Sequence, residues 1–84
     1  MPPRRRTQPR SPDHAALGEA IRRFRTEAGL SQEELAERAE TDFTQVGGIE
    51  RGQRNPSCTT LLRLAAALGT SLSAIVTLAD ELKE

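Results

Sequence analysis

Residues 31–51 have the sequence SQEELAERAETDFTQVGGIER, and this stretch decides the fold of the 84-residue chain. Ser31, followed three residues later by Glu34, forms the capping box that starts a helix, in which each side chain bonds the other residue's backbone N–H. Asp42 is a suitable N-cap for the next helix. The stretch therefore predicts two short helices joined by a turn around residues 40–41.

The inward and outward positions of these two helices fit a helix-turn-helix. Leu35 and Ala36 lie where the first helix would meet the second, and Val46 and Ile49 would anchor the second helix to the core. The first turn of that second helix is then free to enter a major groove, which is wide enough for one α-helix. Gln32 begins the first helix, where backbone N–H groups and the helix dipole favour a phosphate oxygen.

Helical periodicity continues on both sides of this stretch. Upstream, one apolar face follows the spacing of an α-helix and consists of Leu17, Ala20, Ile21, Phe24 and Ala28. Downstream, Ser57 and Ser71 are suitable N-caps for two more helices, and Gly69 separates them. No segment alternates with a period of two. The sequence therefore predicts a compact all-α domain of five helices, with the first starting at residues 12–13.

Composition limits the class of protein. Hydrophobic residues make up 36% of the chain and aromatic residues 2%, so the core must be aliphatic. Cys58 is the single cysteine, which excludes an intrachain disulfide and a cysteine-based zinc site. No apolar run approaches the ~18 residues of a membrane span, and no signal peptide is evident. We therefore expect a cytoplasmic protein that does not act at a membrane.

The net charge of zero conceals an uneven distribution. Residues 1–12 hold four arginines and no acid, whereas residues 13–84 hold eight basic and twelve acidic residues. We divide the chain into a flexible basic arm (1–12), a DNA-binding domain (13–79) and an acidic tail (80–84). The arm is either a leader without a role or a segment that binds phosphates or the minor groove.

The sequence contains no motif of an enzyme. It has no Gly-x-Ser-x-Gly, no Walker loop and no His-Glu-x-x-His, and its glycines lack the Gly-Lys-Ser/Thr ending that cradles a phosphate. His14 is the only histidine and has no partner at metal-ligand spacing. We expect no catalytic site, no metal and no cofactor.

Several motifs in a fixed order resemble the phage Cro/repressor (Xre-type) helix-turn-helix family over about residues 15–78. They are SQEELA at 31–36, Val46, IERG at 49–52, RNPS at 54–57, LLRLA at 61–65 and ALG at 67–69. The resemblance implies a five-helix fold of the phage repressor type. It also implies a nucleoid-associated transcriptional regulator that binds double-stranded operator DNA, usually as a homodimer.

The resemblance also implies a set of DNA-contacting residues. They are Gln32, Phe43, Thr44, Gln45, Gly47, Gly48, Arg51, Arg54 and Asn55. In this family Gln32 and the loop residues 51–55 would bind phosphates, while residues 43–45 would read bases. Gly48 matches a further groove-facing position with Gly47 beside it, and Phe43 would contact a thymine methyl group rather than pack at the helix start. Arg25 and Glu50 match a buried ion pair between the first and third helices.

Two departures from the family pattern affect these expectations. Glu40 occupies the turn, where Gly or Asn usually permits a positive φ, so we expect either mild strain there or a turn of another shape. Gly47 and Gly48 remove two groove-facing side chains. Either the bare backbone approaches DNA more closely, or base reading rests on residues 43–45, or the chain binds DNA weakly. The last case favours an antitoxin or adapter that holds a protein partner and has weak or autoregulatory DNA binding.

The last predicted helix is the candidate homodimer surface. Its apolar residues exceed what one face of a small core would use, and they are Leu72, Ile75, Val76, Leu78, Ala79 and Leu82. The alternative is that all of them pack inside one subunit.

Overall fold

The computed structural model describes residues 8–83, and five helices make up most of them. Their bounds are α1 Pro12–Glu27, α2 Gln32–Arg38, α3 Phe43–Glu50, α4 Cys58–Ala67 and α5 Leu72–Lys83. No strand occurs within residues 8–83. The prediction of a five-helix all-α domain is confirmed.

The helices begin where the sequence places short polar side chains. Ser31 accepts a hydrogen bond from the Glu34 backbone N–H at 3.0 Å, and the Glu34 carboxylate accepts one from the Ser31 N–H at 2.8 Å. The predicted capping box is therefore present. At the start of α3, Asp42 accepts from the Gln45 N–H at 2.7 Å. These bonds satisfy backbone donors that a helix start leaves without partners.

The core is aliphatic, as the composition predicts. Its largest fully buried side chains are Ile21, Leu35, Val46, Ile49, Leu64 and Ile75. Burying one such side chain stabilises the fold by roughly 1.5–3 kcal/mol. The four inward residues predicted for α2 and α3 all belong to this core.

Helix α5 contributes to the core more than the sequence predicted. Ile75 and Ala79 are buried, and three leucines of α5 are half-buried against the core. Those residues were predicted to form a dimer surface, and that prediction is wrong for Ile75 and Ala79, which α5 buries as it packs closely against α1. Among the large apolar side chains of α5, Val76 is the one that stays exposed, at 42%.

Helices α1 and α3 approach each other at Gly18. A Cβ on this residue would lie 2.2 Å from the Ile49 carbonyl oxygen and 2.6 Å from that of Glu50. Both oxygens belong to the backbone, which cannot swing aside as a side chain can. The absence of a side chain at Gly18 therefore fixes how closely α3 lies against α1.

The turn between α2 and α3 has the predicted left-handed residue. Glu40 has φ 58°, and it is the only residue other than glycine with a positive φ in the described part of the chain. A left-handed conformation costs an L-residue with a side chain about 1–2 kcal/mol. The expected strain at this turn is thus present in the backbone geometry.

The last residues of the predicted arm pack against the domain. The Arg10 N–H donates to the Gly52 carbonyl at 2.7 Å, and Pro9 lies against the Gly52 backbone. Residues 9 and 10, which the division by composition assigned to the arm, are therefore in contact with the domain. Residues 1–7, including the arginines at 4–6, lie outside the described residues.

The two ends of the described chain meet. Lys83 donates to the Asp13 carboxylate at 2.8 Å, which lowers the pKa of Asp13 and raises that of Lys83. Helix α5 includes residues 80–83, which the division by composition assigned to a tail. Residue 84 lies outside the described residues.

The length and composition of the helices were compared with those of a membrane span. Within residues 8–83, no single helix has the length and apolar composition of a membrane span. Helices α4 and α5 reach that length and composition only when taken together, and the chain bends by 101° between them.

Candidate nucleic-acid interface

Helix α3 has a buried inner face and an exposed first turn. Val46 and Ile49 are each 1% exposed, whereas Phe43 is 51% exposed. Thr44 is also exposed and Gln45 is half-buried. The three residues predicted to read bases therefore lie together at the exposed start of the helix. Because about half of the Phe43 surface stays exposed, packing within the subunit uses only part of the ring.

A buried ion pair holds α3 against α1. Arg25 donates to both carboxylate oxygens of Glu50, from Nε at 2.6 Å and from Nη2 at 3.0 Å. Its Nη1 donates to the Leu30 carbonyl at 2.8 Å. The side chains are 13% and 3% exposed, respectively. The predicted ion pair is present, and its bidentate geometry is the strong form of such a contact.

Gln32 joins this buried network. Its Nε2 donates to Glu50 Oε1 at 2.8 Å, and its Oε1 lies 3.6 Å from the position that a Cβ on Gly47 would take. The side chain is half-buried at the start of α2, next to α3. A side-chain amide has two N–H groups, so a second donor remains for a phosphate oxygen. The structure thus gives Gln32 a partner that the sequence did not predict.

Gly47 and Gly48 are buried, and two arginines cover them. A Cβ on Gly47 would lie 3.0 Å from Arg51 Nη1, and a Cβ on Gly48 would lie 2.6 Å from Arg54 Cγ. One hypothesis was that the bare backbone at these glycines approaches DNA. In the structure the glycines are not bare, because the arginine side chains occupy the space that two side chains of α3 would fill.

Both arginines also contact polar neighbours. Arg51 Nε donates to Gln53 Oε1 at 3.0 Å. Arg54 Nη1 lies 3.4 Å from Gln45 Oε1, a long hydrogen bond. Arg54 is therefore next to the first turn of α3, although it follows that helix in sequence.

Asn55 contacts the start of α1 through His14, the lone histidine of the sequence. Its Oδ1 lies 3.1 Å from Nε2 of His14, and the Nδ1 of His14 lies 2.7 Å from the Ser11 hydroxyl. A neutral imidazole with hydrogen on Nε2 would donate to Asn55 and accept from Ser11. No local sequence signal reveals this contact, because His14 and Asn55 are 41 positions apart.

Exposed charges of both signs flank α3: Glu40 and Asp42 precede the helix, and Arg51 and Arg54 follow it. Arg51 and Arg54 are exposed, and Glu50 is buried and paired with Arg25. Asp42 is an exposed carboxylate in this part of the chain and caps α3. Pairing of Glu50 therefore leaves two exposed guanidinium groups available to phosphates or bases.

Metal binding has no visible basis in the described part of the chain. Within residues 8–83, no three His, Cys, Asp or Glu side chains are arranged to hold a metal ion. Cys58 is exposed at the start of α4.

Comparison with known proteins agrees with this geometry. A family model described as helix-turn-helix matches residues 21–75, more than half of the chain. An uncharacterized HTH-type transcriptional regulator of Sinorhizobium fredii is 43% identical over 65 residues, which cover 77% of this chain and 84% of that protein. An immunity repressor protein of Bacillus phage phi105 is 43% identical over 60 residues, which cover 71% of this chain and 42% of the repressor.

A solved structure shows the same fold. It is the restriction-modification controller protein C.AhdI from Aeromonas hydrophila, with a TM-score of 0.74 and 44% sequence identity. The match covers 75% of this chain and 96% of the controller protein. The resemblance in the sequence motifs therefore extends to the backbone.

Proposed function

We propose a specific mode of DNA binding for this chain, which belongs to the helix-turn-helix family of DNA-binding transcriptional regulators. It binds a two-fold symmetric operator as a homodimer, with α3 of each subunit in a major groove. The half-sites are then about one helical turn (~34 Å) apart. The observation that carries this proposal is α3 itself, which buries Val46 and Ile49 and exposes its first turn.

The first turn of α3 supplies the base contacts. Thr44 and Gln45 carry hydrogen-bonding groups that can meet base edges, and Phe43 offers an apolar surface to a thymine methyl group. The Asp42 cap fixes the backbone from which these side chains project. These contacts carry the sequence information.

Residues on both sides of α3 position the helix on the phosphates. Gln32 lies at the start of α2 with one amide N–H still available, Arg51 lies at the end of α3, and Asn55 lies in the following loop. The basic residues at 1–7 would add phosphate contacts, since residues 9–10 are attached at Gly52, just beyond α3. Such contacts fix the register of the protein and give binding its salt dependence.

The homodimer rests on apolar side chains that one subunit leaves uncovered. Leu62 on α4 is 52% exposed and Val76 on α5 is 42% exposed. Sedimentation at micromolar concentration tests the dimer, with Leu62→Asp and Val76→Asp as the disrupting variants. Ile75→Asp is unsuitable, because it would place a charge in the core. A wild-type protein that sediments only as a monomer and binds one half-site contradicts the dimer.

The chain acts by occupying promoter DNA in the cytoplasm, without catalysis or a cofactor. The alternative of an antitoxin or adapter rested on two missing side chains in α3. Because Arg51 and Arg54 occupy that space, this observation no longer favours weak DNA binding. We therefore retain the operator-binding regulator as the proposed function.

Titration of duplex DNA tests this proposal. The duplex from upstream of the chain's own gene and a scrambled duplex are titrated at two salt concentrations. We expect the affinity for both duplexes to fall steeply as the salt concentration rises. We also expect much tighter binding to the upstream duplex than to the scrambled one. Thr44→Ala should reduce that preference, whereas Thr59→Ala on exposed α4 is the matched control. Equal affinity of the wild type for the upstream, scrambled and library-selected duplexes would overturn the proposal.

A further inference from the structure

Arg54 is placed to do more than hold a phosphate. We propose that Arg54 reaches across Gly48 onto the outer face of α3 and reads a guanine in the major groove. The inference rests on the proposed function, because it assigns one base contact within that mode of binding. It differs from the role implied by the family resemblance, in which Arg54 binds phosphates of the DNA backbone.

The position of Arg54 depends on the absence of a side chain at Gly48. A Cβ there would lie 2.6 Å from Arg54 Cγ, 2.9 Å from Nε and 3.0 Å from Cδ. Three consecutive parts of the arginine side chain therefore lie over one glycine. Any other residue at position 48 would move the arginine away from the helix.

The guanidinium group lies on the face predicted to read bases. Gln45 and Gly48 are three residues apart, so they are neighbours on one face of α3. Arg54 Nη1 lies 3.4 Å from Gln45 Oε1, which places the arginine head beside the glutamine amide. Arg54 thereby takes the groove-facing position that Gly48 leaves without a side chain.

The chemistry of this pair favours guanine. When Gln45 Oε1 accepts from Arg54, the glutamine NH₂ and the remaining guanidinium N–H groups are all donors. Guanine presents two adjacent acceptors in the major groove, O6 and N7, and arginine binds them with two parallel hydrogen bonds. A surface that presents only donors matches the two acceptors of guanine better than it matches adenine, which presents one acceptor and one donor.

Binding-site selection from a random duplex library tests the proposal. We expect the wild type to enrich a guanine at one position in each half-site. Arg54→Ala should lose that preference, by roughly 5- to 150-fold in relative affinity for guanine over the other bases, and keep the preferences at other positions. Arg51→Ala is the matched control, and it should weaken binding to all sequences equally, because we assign it to phosphates.

Gly48→Ala tests the steric part of the proposal. Its methyl group should displace Arg54, and alanine favours a helix, so the variant should stay folded and show the same loss of guanine preference. Adding Arg54→Ala to Gly48→Ala should then change the preference no further. Gly47→Ala is the comparison variant, since its methyl group would meet the tip of Arg51 at 3.0 Å and Gln32 Oε1 at 3.6 Å rather than Arg54, and it should keep the guanine preference.

The outcomes separate this inference from the proposed function. If the wild type selects no sequence, operator binding itself fails. If the wild type selects a site and Arg54→Ala weakens binding equally for every base, Arg54 binds phosphate and the inference is overturned. If Gly48→Ala keeps the full guanine preference, the route across Gly48 is overturned.

Discussion

The inner face of α3 carries the side chains that its packing requires, whereas its outer face carries two glycines covered by arginines from further along the chain. On the inner side, Gly18 brings the α1 backbone against α3, and Arg25 neutralises Glu50 in a buried pair. On the outer side, Arg51 and Arg54 are exposed and rest on Gly47 and Gly48. The inner face sets the position of the helix, and we expect substitutions on the outer face to leave the fold unchanged.

This difference explains why glycine has two opposite roles in one small domain. At Gly18 the neighbours of a new methyl group would be backbone oxygens, which cannot move without moving a helix. At Gly47 and Gly48 the neighbours are atoms of long, flexible side chains. The same substitution should therefore damage the fold on one side of α3 and leave it intact on the other.

The largest expected effect comes from breaking the buried ion pair. Arg25→Ala leaves the Glu50 carboxylate buried without its charged partner, and we expect the free energy of unfolding to fall by about 3–5 kcal/mol. Urea denaturation measures this loss. Arg22→Ala, which breaks an exposed pair with Glu19, is the control and should change stability by no more than about 0.5 kcal/mol. Similar losses for both variants would show that the buried Arg25–Glu50 pair contributes no more to the free energy of unfolding than the exposed Arg22–Glu19 pair.

The next effect comes from filling the contact at Gly18. We expect Gly18→Ala to lower the free energy of unfolding by about 2–3 kcal/mol, although alanine itself favours a helix. Thermal denaturation followed by circular dichroism measures the loss. Gly69→Ala is the control for glycine replacement, because nothing lies within 4 Å of its added Cβ and only its positive φ opposes the change. A wild-type melting temperature for Gly18→Ala would refute the close contact between α1 and α3.

A smaller effect is expected at the start of α2. This helix start carries Gln32, which contacts Glu50 and lies near Gly47. Ser31→Ala removes a capping bond and should cost about 1 kcal/mol near neutral pH. Ser73→Ala, on the exposed surface of α5, is the matched control and should cause no loss. Equal stability of the two variants in urea denaturation would contradict a role for the cap.

The same capping box predicts a pH dependence. The backbone N–H of Ser31, assisted by its side chain, lowers the pKa of Glu34. Stability from this contact is therefore present above the pKa of Glu34 in the unfolded chain, and it is lost as the pH falls through the lower folded pKa. Glu34→Gln should flatten the acid side of the stability curve, and an unchanged curve would contradict this.

The smallest effect is expected at Gly47. Gly47→Ala should leave stability unchanged or raise the free energy of unfolding by up to about 1 kcal/mol, because alanine favours the helix and the Arg51 tip can move. Parallel urea denaturation of Gly47→Ala and Gly18→Ala gives the comparison. A loss as large as that of Gly18→Ala would show that the outer face is packed as rigidly as the inner face.

Local patterns in the sequence were sufficient to predict the helices and their caps, whereas the strain at Glu40 was predicted from the family resemblance. Caps and apolar stripes depend on residues within a few positions of one another, so Ser31, Asp42 and the inward face of α3 were predicted correctly. The Arg25–Glu50 pair came from the family resemblance and not from spacing. Its two residues are 25 positions apart, beyond the reach of local patterns.

Contacts between distant segments could not be predicted. Gly18 looks like any helical glycine until α3 is placed against it, and His14 looks isolated until Asn55 reaches it. The apolar residues of α5 could face either a partner or the core, and only the packing against α1 places Ile75 inside. The cover of Gly48 by Arg54 depends on how the loop turns back over α3.

The most direct test of the account is a titration of ¹⁵N-labelled protein with the duplex obtained by site selection, followed by NMR. We predict that the largest changes in backbone amide shifts fall at residues 43–48 and 51–55 and at Gln32, while Ile75 and its neighbours in the middle of α5 change least. Shifts concentrated on α4 and α5, with α3 unaffected, would contradict the assignment of α3 as the DNA-reading helix.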